Sequence, residues 1–240
     1  MFLSIYNFVF ILILPFILSR LVLKSFREPL YRSFFKERFG FFKRKDSTRD
    51  CIWIHAVSVG EAVAAYPLIN NLVNRNLDCI VTSTTPAGKE RVQQLLGNKV
   101  QTAFVPLDFR AAIRRFISNN NPRALIISET ELWPNMIAEC QRRKIKILLV
   151  NGRMSKSSAR TYRNIRFWTK RMFEALDYCG VQTPRHRNRF ISLGVKKNKI
   201  EVTGNLKFDI ALPNINSGAV DSARALVGHR TVLLGASTHE

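Results

Sequence analysis

Short, nearly continuous apolar runs recur along the chain from residue 51 onward. They are CIWIHAV (51–57), LDCIVTST (77–84), VQTAFVPL (100–107), RALIISE (123–129), IKILLVN (145–151), DYCGVQ (177–182), KIEVTG (199–204) and RTVLLGAS (230–237). A strand that is apolar on both sides is buried on both faces, the situation of a parallel sheet covered by helices. The segments between the runs, such as 61–76 and 86–97, are long enough for the crossover helices that parallel strands require. The pattern predicts a doubly wound α/β, Rossmann-like domain over 51–212. ALPNINSGAV (211–220) has the Pro, Asn and Gly content of a linker, so 213–240 reads as linker and the start of a second domain.

Ahead of the first run lies MFLSIYNFVFILILPFILS, which holds no Lys, Arg, Asp or Glu. As a helix it would extend about 28 Å, close to the hydrocarbon thickness of a bilayer. A cleaved signal peptide carries its basic residues before the apolar run; here they follow it, from Arg20. Residues 1–20 are therefore read as an uncleaved membrane anchor and 21–50 as a basic juxtamembrane segment. Between Arg20 and Arg49 ten Lys or Arg stand against three acids, which by the positive-inside rule keeps the rest of the chain in the cytoplasm. The aromatics among these charges, including Phe26, Phe35, Phe39, Phe41 and Phe42, either lie at the interface of an anionic leaflet or pack on the domain.

The whole chain carries 38 Lys and Arg against 17 Asp and Glu, a formal charge of +21. That balance calls for an anionic partner: a phosphorylated ligand, anionic lipid or nucleic acid. Cys51, Cys79, Cys140 and Cys179 sit singly inside apolar runs and read as reduced core thiols. His55, His186, His229 and His239 lack ligand spacing, so no metal is expected, and no cofactor.

In open α/β sheets ligands bind beyond the carboxyl ends of the strands. Five of the segments at that position are polar: Ser58-Val59-Gly60-Glu61, TSTTPAGKE (82–90), SETELWPN (128–135), NGRMSKSS (151–158) and TGNLKFD (203–209). Gly60 permits a tight turn and close approach of a ligand. Glu61, in the first helical turn, feels the positive end of the helix dipole, which favours its ionised form. It is either a general base or the acid of a capping box with Ser58, and the two roles are compatible. Glu129 and Glu131 follow an apolar strand and are either positioning acids in a cleft or solvated helix-start acids. TSTTPAGKE resembles an anion-cradling loop but lacks the spacing of a nucleotide-hydrolysing one. A helix from Ser155 to about Leu176 is expected, with Lys156, Arg160, Arg163, Arg166, Lys170 and Arg171 within an arc of about 140°.

Taken in order, ERFGF (37–41), IWIHAVSVGE (52–61), TSTTPAGKERV (82–92), ETELWPNMIAEC (129–140), VNGRMSKSSARTY (150–162), VTGNLKFDI (202–210) and GASTHE (235–240) resemble the 3-deoxy-D-manno-oct-2-ulosonic acid (Kdo) transferases of Gram-negative bacteria. The resemblance implies an inverting, two-lobed glycosyltransferase of the GT-B type. It would be tethered to the inner membrane with a cytoplasmic catalytic face, and would move Kdo from CMP-Kdo to a hydroxyl of the phosphorylated, acylated lipid A precursor. It further implies Glu61 as catalytic base, with Glu131 and Lys207 stabilising the transition state. Family members continue into a second lobe that carries most CMP contacts. The expectation is therefore an N-terminal, acceptor-binding lobe with the second lobe largely absent and little transfer by these residues alone. Two rivals are a non-catalytic, membrane-bound lipid A precursor-binding module, which would not need Glu61, and a nucleic-acid binder. The apolar anchor and the lack of a nucleic-acid motif argue against the second, and no nucleic-acid partner is expected.

Overall fold

A computed structural model of the chain describes residues 2–27, 35–45, 49–209 and 217–228. The chain divides into a large unit, Met1–Asp209, and a small one, Ile210–Glu240. The described part of the small unit is one helix, Ser217–Val227, which begins inside the linker stretch 211–220 and runs past it. The strand expected over 230–237 and most of that linker lie outside the described residues.

The large unit is built on seven strands: β1 (Cys51–His55), β2 (Asp78–Ser83), β3 (Gln101–Phe104), β4 (Ala124–Ser128), β5 (Lys146–Gly152), β6 (Tyr178–Val181) and β7 (Ile200–Val202). They form one sheet in the order β3-β2-β1-β4-β5-β6-β7, with every neighbouring pair parallel. Each of the seven runs between residues 51 and 204 holds its strand, and β1 and the central part of β4 are buried along their length, as continuous apolarity requires. The helices are α1 (Phe2–Arg27), α2 (Phe35–Arg38), α3 (Val59–Asn74), α4 (Pro86–Leu96), α5 (Arg110–Asn120), α6 (Pro134–Arg142), α7 (Lys156–Asn164), α8 (Arg166–Glu174) and α9 (Pro184–Leu193).

Residues of α3 and α4 bury one sheet face around Ile54, Ile69 and Val81. Residues of α5, α6, α8 and α9 bury the other, around Trp53, Phe116, Phe173 and Phe190. The strand order reverses at β1, so that β1 lies between β2 and β4. A doubly wound sheet opens its ligand crevice where the order reverses, here between the carboxyl ends of β1 and β4. Glu61 follows β1 and Glu131 follows β4.

Two local outcomes differ from the sequence expectations. The helix expected over 155–176 is two helices, broken at Ile165, whose φ of −108° and ψ of 26° leave the helical region. At the break the Tyr162 carbonyl accepts from the buried Thr169 hydroxyl at 3.1 Å, which supplies a partner in place of the interrupted ladder. The break also leaves Ile165 and Trp168 well exposed, although the helical spacing places both on the buried side.

Within the basic segment, residues 35–45 are folded onto the lobe. Glu37 accepts from the Phe104 amide at 2.6 Å and pairs with Lys89. Arg38 is buried and donates to the Thr84 carbonyl. Phe42 lies 6.2 Å from Phe116, and Arg115 sits 4.0 Å from the Phe41 ring centroid. Of the two readings offered by the aromatics, packing on the domain describes Phe39 and Phe42, whereas Phe26 and Phe41 are exposed by 68% and 57%.

Candidate active site

Glu61 enters the rim through the start of α3. Ser58 is the N-cap, its extended backbone (φ −119°, ψ 164°) letting the hydroxyl accept from the Glu61 amide. In return the Glu61 carboxylate accepts from the Ser58 hydroxyl at 3.0 Å and from the Val57 amide at 2.9 Å. This is a capping-box exchange displaced by one residue, because the acid reaches the amide before the N-cap. The side chain is buried, with 7% of the residue exposed.

The dipole argument favours an ionised Glu61, but burial outweighs it. Desolvation pushes the carboxyl up to about 7, against the lowering effect of the Val57 and Ser58 hydrogen bonds, and Glu129 and Glu131 raise it further by their charge.

Glu129 and Glu131 occupy the β4 exit differently. Glu129 has φ of 59°, a left-handed conformation that costs a non-glycine residue energy and clusters at functional sites. It pairs with Arg153 at 2.8 Å, and Thr130 donates to the Arg153 carbonyl. Glu131 accepts from the Trp133 indole at 3.2 Å. The Trp133 ring in turn meets His55 edge-on at 5.0 Å. Glu129, Glu131, Arg153, Ser155, Ser158 and His186 line a polar hollow of about 580 Å³.

Lys207 lies in a short 3-10 turn, Leu206–Asp209. Asn151, the next-to-last residue of β5, accepts from the Leu206 amide at 3.2 Å, and Asn205 accepts from the Lys207 amide at 3.1 Å. The turn packs against α3, the helix that carries Glu61, and the Lys207 side chain is exposed. The structure thus sets Glu61 and Glu131 beyond the carboxyl ends of the neighbouring strands β1 and β4, and Lys207 on a turn braced against the Glu61 helix.

The rim has further polar groups that spacing alone did not single out. His55 Nε2, Ser83 Oγ, Ser128 Oγ and Asn151 Nδ2 are buried without a hydrogen-bond partner, at the carboxyl ends of β1, β2, β4 and β5. Native folds seldom leave such atoms unpaired, and these four stand at the carboxyl edge of the sheet. Burial holds His55 neutral, pushing it down to about 3. His55 Nδ1 lies 3.3 Å from the Thr82 hydroxyl, which accepts from the Trp53 indole at 2.9 Å and also lies 3.3 Å from the Ile54 carbonyl. By contrast, the expected anion-cradling groups of TSTTPAGKE are engaged within the lobe. Thr85 caps α4 through the Gly88 amide, and Lys89 donates to both Glu37 oxygens at 3.1 Å.

Comparison with known sequences gives this geometry a family. The profile of the 3-deoxy-D-manno-octulosonic-acid transferases (kdotransferases) matches residues 33–210. The chain belongs to the Kdo transferase family. A Kdo transferase of Haemophilus influenzae is 36% identical over 94% of the chain, and one of Bordetella pertussis is 35% identical over 79%. The chain covers 54% and 45% of those two proteins, so it spans about half the length of the curated relatives it matches. A bifunctional glycosyltransferase/methyltransferase of Fusobacterium nucleatum is 30% identical over 90% of the chain, which covers 36% of it. Among solved structures, a Staphylococcus aureus MnaA–UDP complex superposes with a TM-score of 0.50 at 15% identity, over 73% of the chain and 51% of that protein. A UDP-N-acetylglucosamine 2-epimerase does so with a TM-score of 0.50 at 13% identity, over 73% and 52%. At such identities these two report the fold alone, a parallel α/β lobe of the kind that GT-B transferases use.

Proposed function

We propose that this Kdo-transferase chain is the acceptor-binding, base-bearing lobe of an inverting enzyme that moves Kdo from CMP-Kdo to a hydroxyl of the lipid A precursor. Glu61 takes the acceptor proton as the hydroxyl oxygen attacks the anomeric carbon of Kdo. The bond from that carbon to the CMP phosphate oxygen breaks, and CMP leaves with the electron pair. Glu131 and Lys207 flank the step and stabilise charge as it redistributes. The lobe works on the cytoplasmic face of the inner membrane, with α1 as its membrane element and anionic lipids beneath it.

The observation that carries this reading is the state of Glu61. A general base works best when its pKa lies near the operating pH, and burial among two other acids brings this carboxyl to about 7. An acid serving only as a helix cap has no need of desolvation.

The test is Kdo transfer to the lipid A precursor in detergent, with residues 1–240 alone, the same residues extended by a family C-terminal lobe, and the extended protein carrying Glu61→Gln. The extended protein is expected to turn over, and residues 1–240 alone to transfer little because the donor contacts lie elsewhere. Glu61→Gln should cost about 10²- to 10⁴-fold in kcat, the usual contribution of a general base. Near-normal turnover by the Gln variant would return Glu61 to capping and favour the non-catalytic binding module.

A further inference from the structure

The helix α1 contains a segment, Leu3–Phe26, long and apolar enough to cross a membrane. The same helix is also seated on the lobe. Tyr6 donates to the Asp108 carboxylate at 3.0 Å, the Asn135 amide donates to Asn7 Oδ1 at 2.8 Å, and Phe10 lies 6.5 Å from Phe109. Leu3 borders an apolar hollow of about 210 Å³ with Pro134, Ile137, Trp168 and Met172. Leu3, Tyr6, Asn7, Phe10, Leu14 and Ile17 follow helical spacing and are all half-buried, whereas Phe8, Ile11, Leu12, Phe16 and Leu23 are exposed by 58% or more.

These contacts do not fit a helix that crosses the bilayer from the Arg20 side. Tyr6 is fourteen residues from Arg20, about 21 Å along the helix, and would lie deep in a hydrocarbon layer about 30 Å thick. A lobe on the Arg20 side would not reach it. Asn7 and Tyr6 would then carry their polar groups into lipid without the partners they have here.

We propose that α1 lies along the lobe in the plane of one membrane leaflet rather than crossing the bilayer, with the anionic lipid surface on the lobe's side as its partner. This rests on the reading of α1 as the membrane element. A helix lying on a membrane is ordinarily amphipathic, whereas the charge-free part of α1, residues 2–19, is apolar nearly all round. Lying between lipid and protein removes the conflict, because both neighbours are apolar. The exposed Arg20 and Lys24 reach head groups, and α8, whose Trp168 and Met172 share the hollow with Leu3, adds Phe167, 81% exposed, as a further apolar side chain.

The seat has a consequence for the site. Asp108 also accepts from the Asn135 and Met136 amides at 3.1 and 2.9 Å, and so caps α6, whose own N-cap residue, Trp133, makes no side-chain cap. One carboxylate fastens α1 to the helix that starts three residues after Glu131. The carboxyl rim is thereby held against the lipid surface from which an acylated acceptor is drawn.

The experiment uses the full-length protein in native membranes, with an epitope tag ahead of residue 1 and, separately, the Phe10→Cys/Phe109→Cys pair; the native cysteines are all buried. The expected result is a tag cut by protease only from the lobe's side of the membrane, together with an intramolecular disulfide under mild oxidation. A tag cut only from the opposite side means that α1 crosses, and overturns the proposal. A tag on the lobe's side without the disulfide overturns the seat. If the cysteine pair fails to accumulate, Tyr6→Phe and Asn7→Leu are read instead by protease protection of α1, which the seat requires to fall. Recovery of the protein in the soluble fraction defeats the membrane reading itself, a distinguishable failure.

Discussion

Two opposed influences meet at Glu61, and their balance is measurable. Hydrogen bonds from Val57 and Ser58 favour the carboxylate, while burial and the neighbouring acids favour the carboxylic acid and prevail, at about 7 against an ordinary 4.5. With the folded pKa raised, the native state binds more protons than the unfolded one between about pH 4.5 and pH 7. Stability from this group is therefore fully present below 4.5, is lost as pH rises through 7, and is level above. Glu61→Gln, which carries no charge, should gain more in Tm over the parent protein at pH 8 than at pH 5, read by thermal melting. In the extended enzyme, kcat/KM should rise about tenfold per pH unit below 7 and flatten above, the profile of a base that must be ionised. Gly60 separates fold from ligand at the same turn. A Cβ added there would meet only Ser58 Oγ, at 3.9 Å. Gly60→Ala should leave Tm unchanged or raise it slightly, by up to about 1 kcal/mol in stability, since Ala is the better helix former. If the acceptor approaches the turn, KM should rise severalfold; an unchanged KM would remove Gly60 from the site. The sequence spacing made Ser58 and Glu61 legible as a cap, but not the sign of the pKa shift, because desolvation comes from strands and loops distant in sequence. His55 was likewise readable only as a strand residue, since its contact with Thr82 comes from the neighbouring strand.

At the scale of elements, the parallel sheet was legible because burial on both faces leaves a strand no polar position to spare. The break between α7 and α8 was not, since the periodicity of 155–176 is satisfied by either one helix or two, and a buried Thr169 hydroxyl decides between them. The segment 35–45 escaped for a different reason. Its charges read as a juxtamembrane stretch facing an anionic leaflet, yet Glu37 and Arg38 find partners on the lobe, and Arg115 of the lobe donates to the Phe39 carbonyl. Gly40 shows how closely that segment is fitted. Its φ is +81°, and a Cβ would lie 2.1 Å from the Ala112 carbonyl oxygen, a backbone atom with no freedom to move aside. Gly40→Ala should therefore cost about 3 kcal/mol or more, combining left-handed strain with a backbone clash. Urea denaturation in detergent measures it. A loss below about 0.5 kcal/mol, typical of a surface substitution, would mean that 35–45 is a loose juxtamembrane tail after all.

For the whole molecule the surplus of +21 fixes the sign of the partner but not where it binds. The fold narrows the place. Many basic groups are already paired inside the lobe, among them Lys89 with Glu37, Arg44 with Asp78 and Arg142 with Glu139. Arg163, Arg166 and Arg171 on α7 and α8 are exposed, and Arg171 adjoins the hollow at Leu3. If this stripe meets an anionic leaflet, each residue contributes about 1 kcal/mol of attraction, so reversing all three to Glu should weaken binding roughly 100-fold or more. Vesicles containing phosphatidylglycerol should show that loss. Vesicles of phosphatidylcholine alone should not, because there the apolar face of α1 carries the interaction and the reversed charges find no field. Raising the salt should shrink the difference on anionic vesicles, as the screening length falls from about 8 Å toward 3 Å. Equal weakening on both kinds of vesicle would assign the stripe to folding rather than to lipid. No weakening on either would make it an ordinary solvated face, and would move the search for the anionic partner to the polar rim around Glu129 and Arg153.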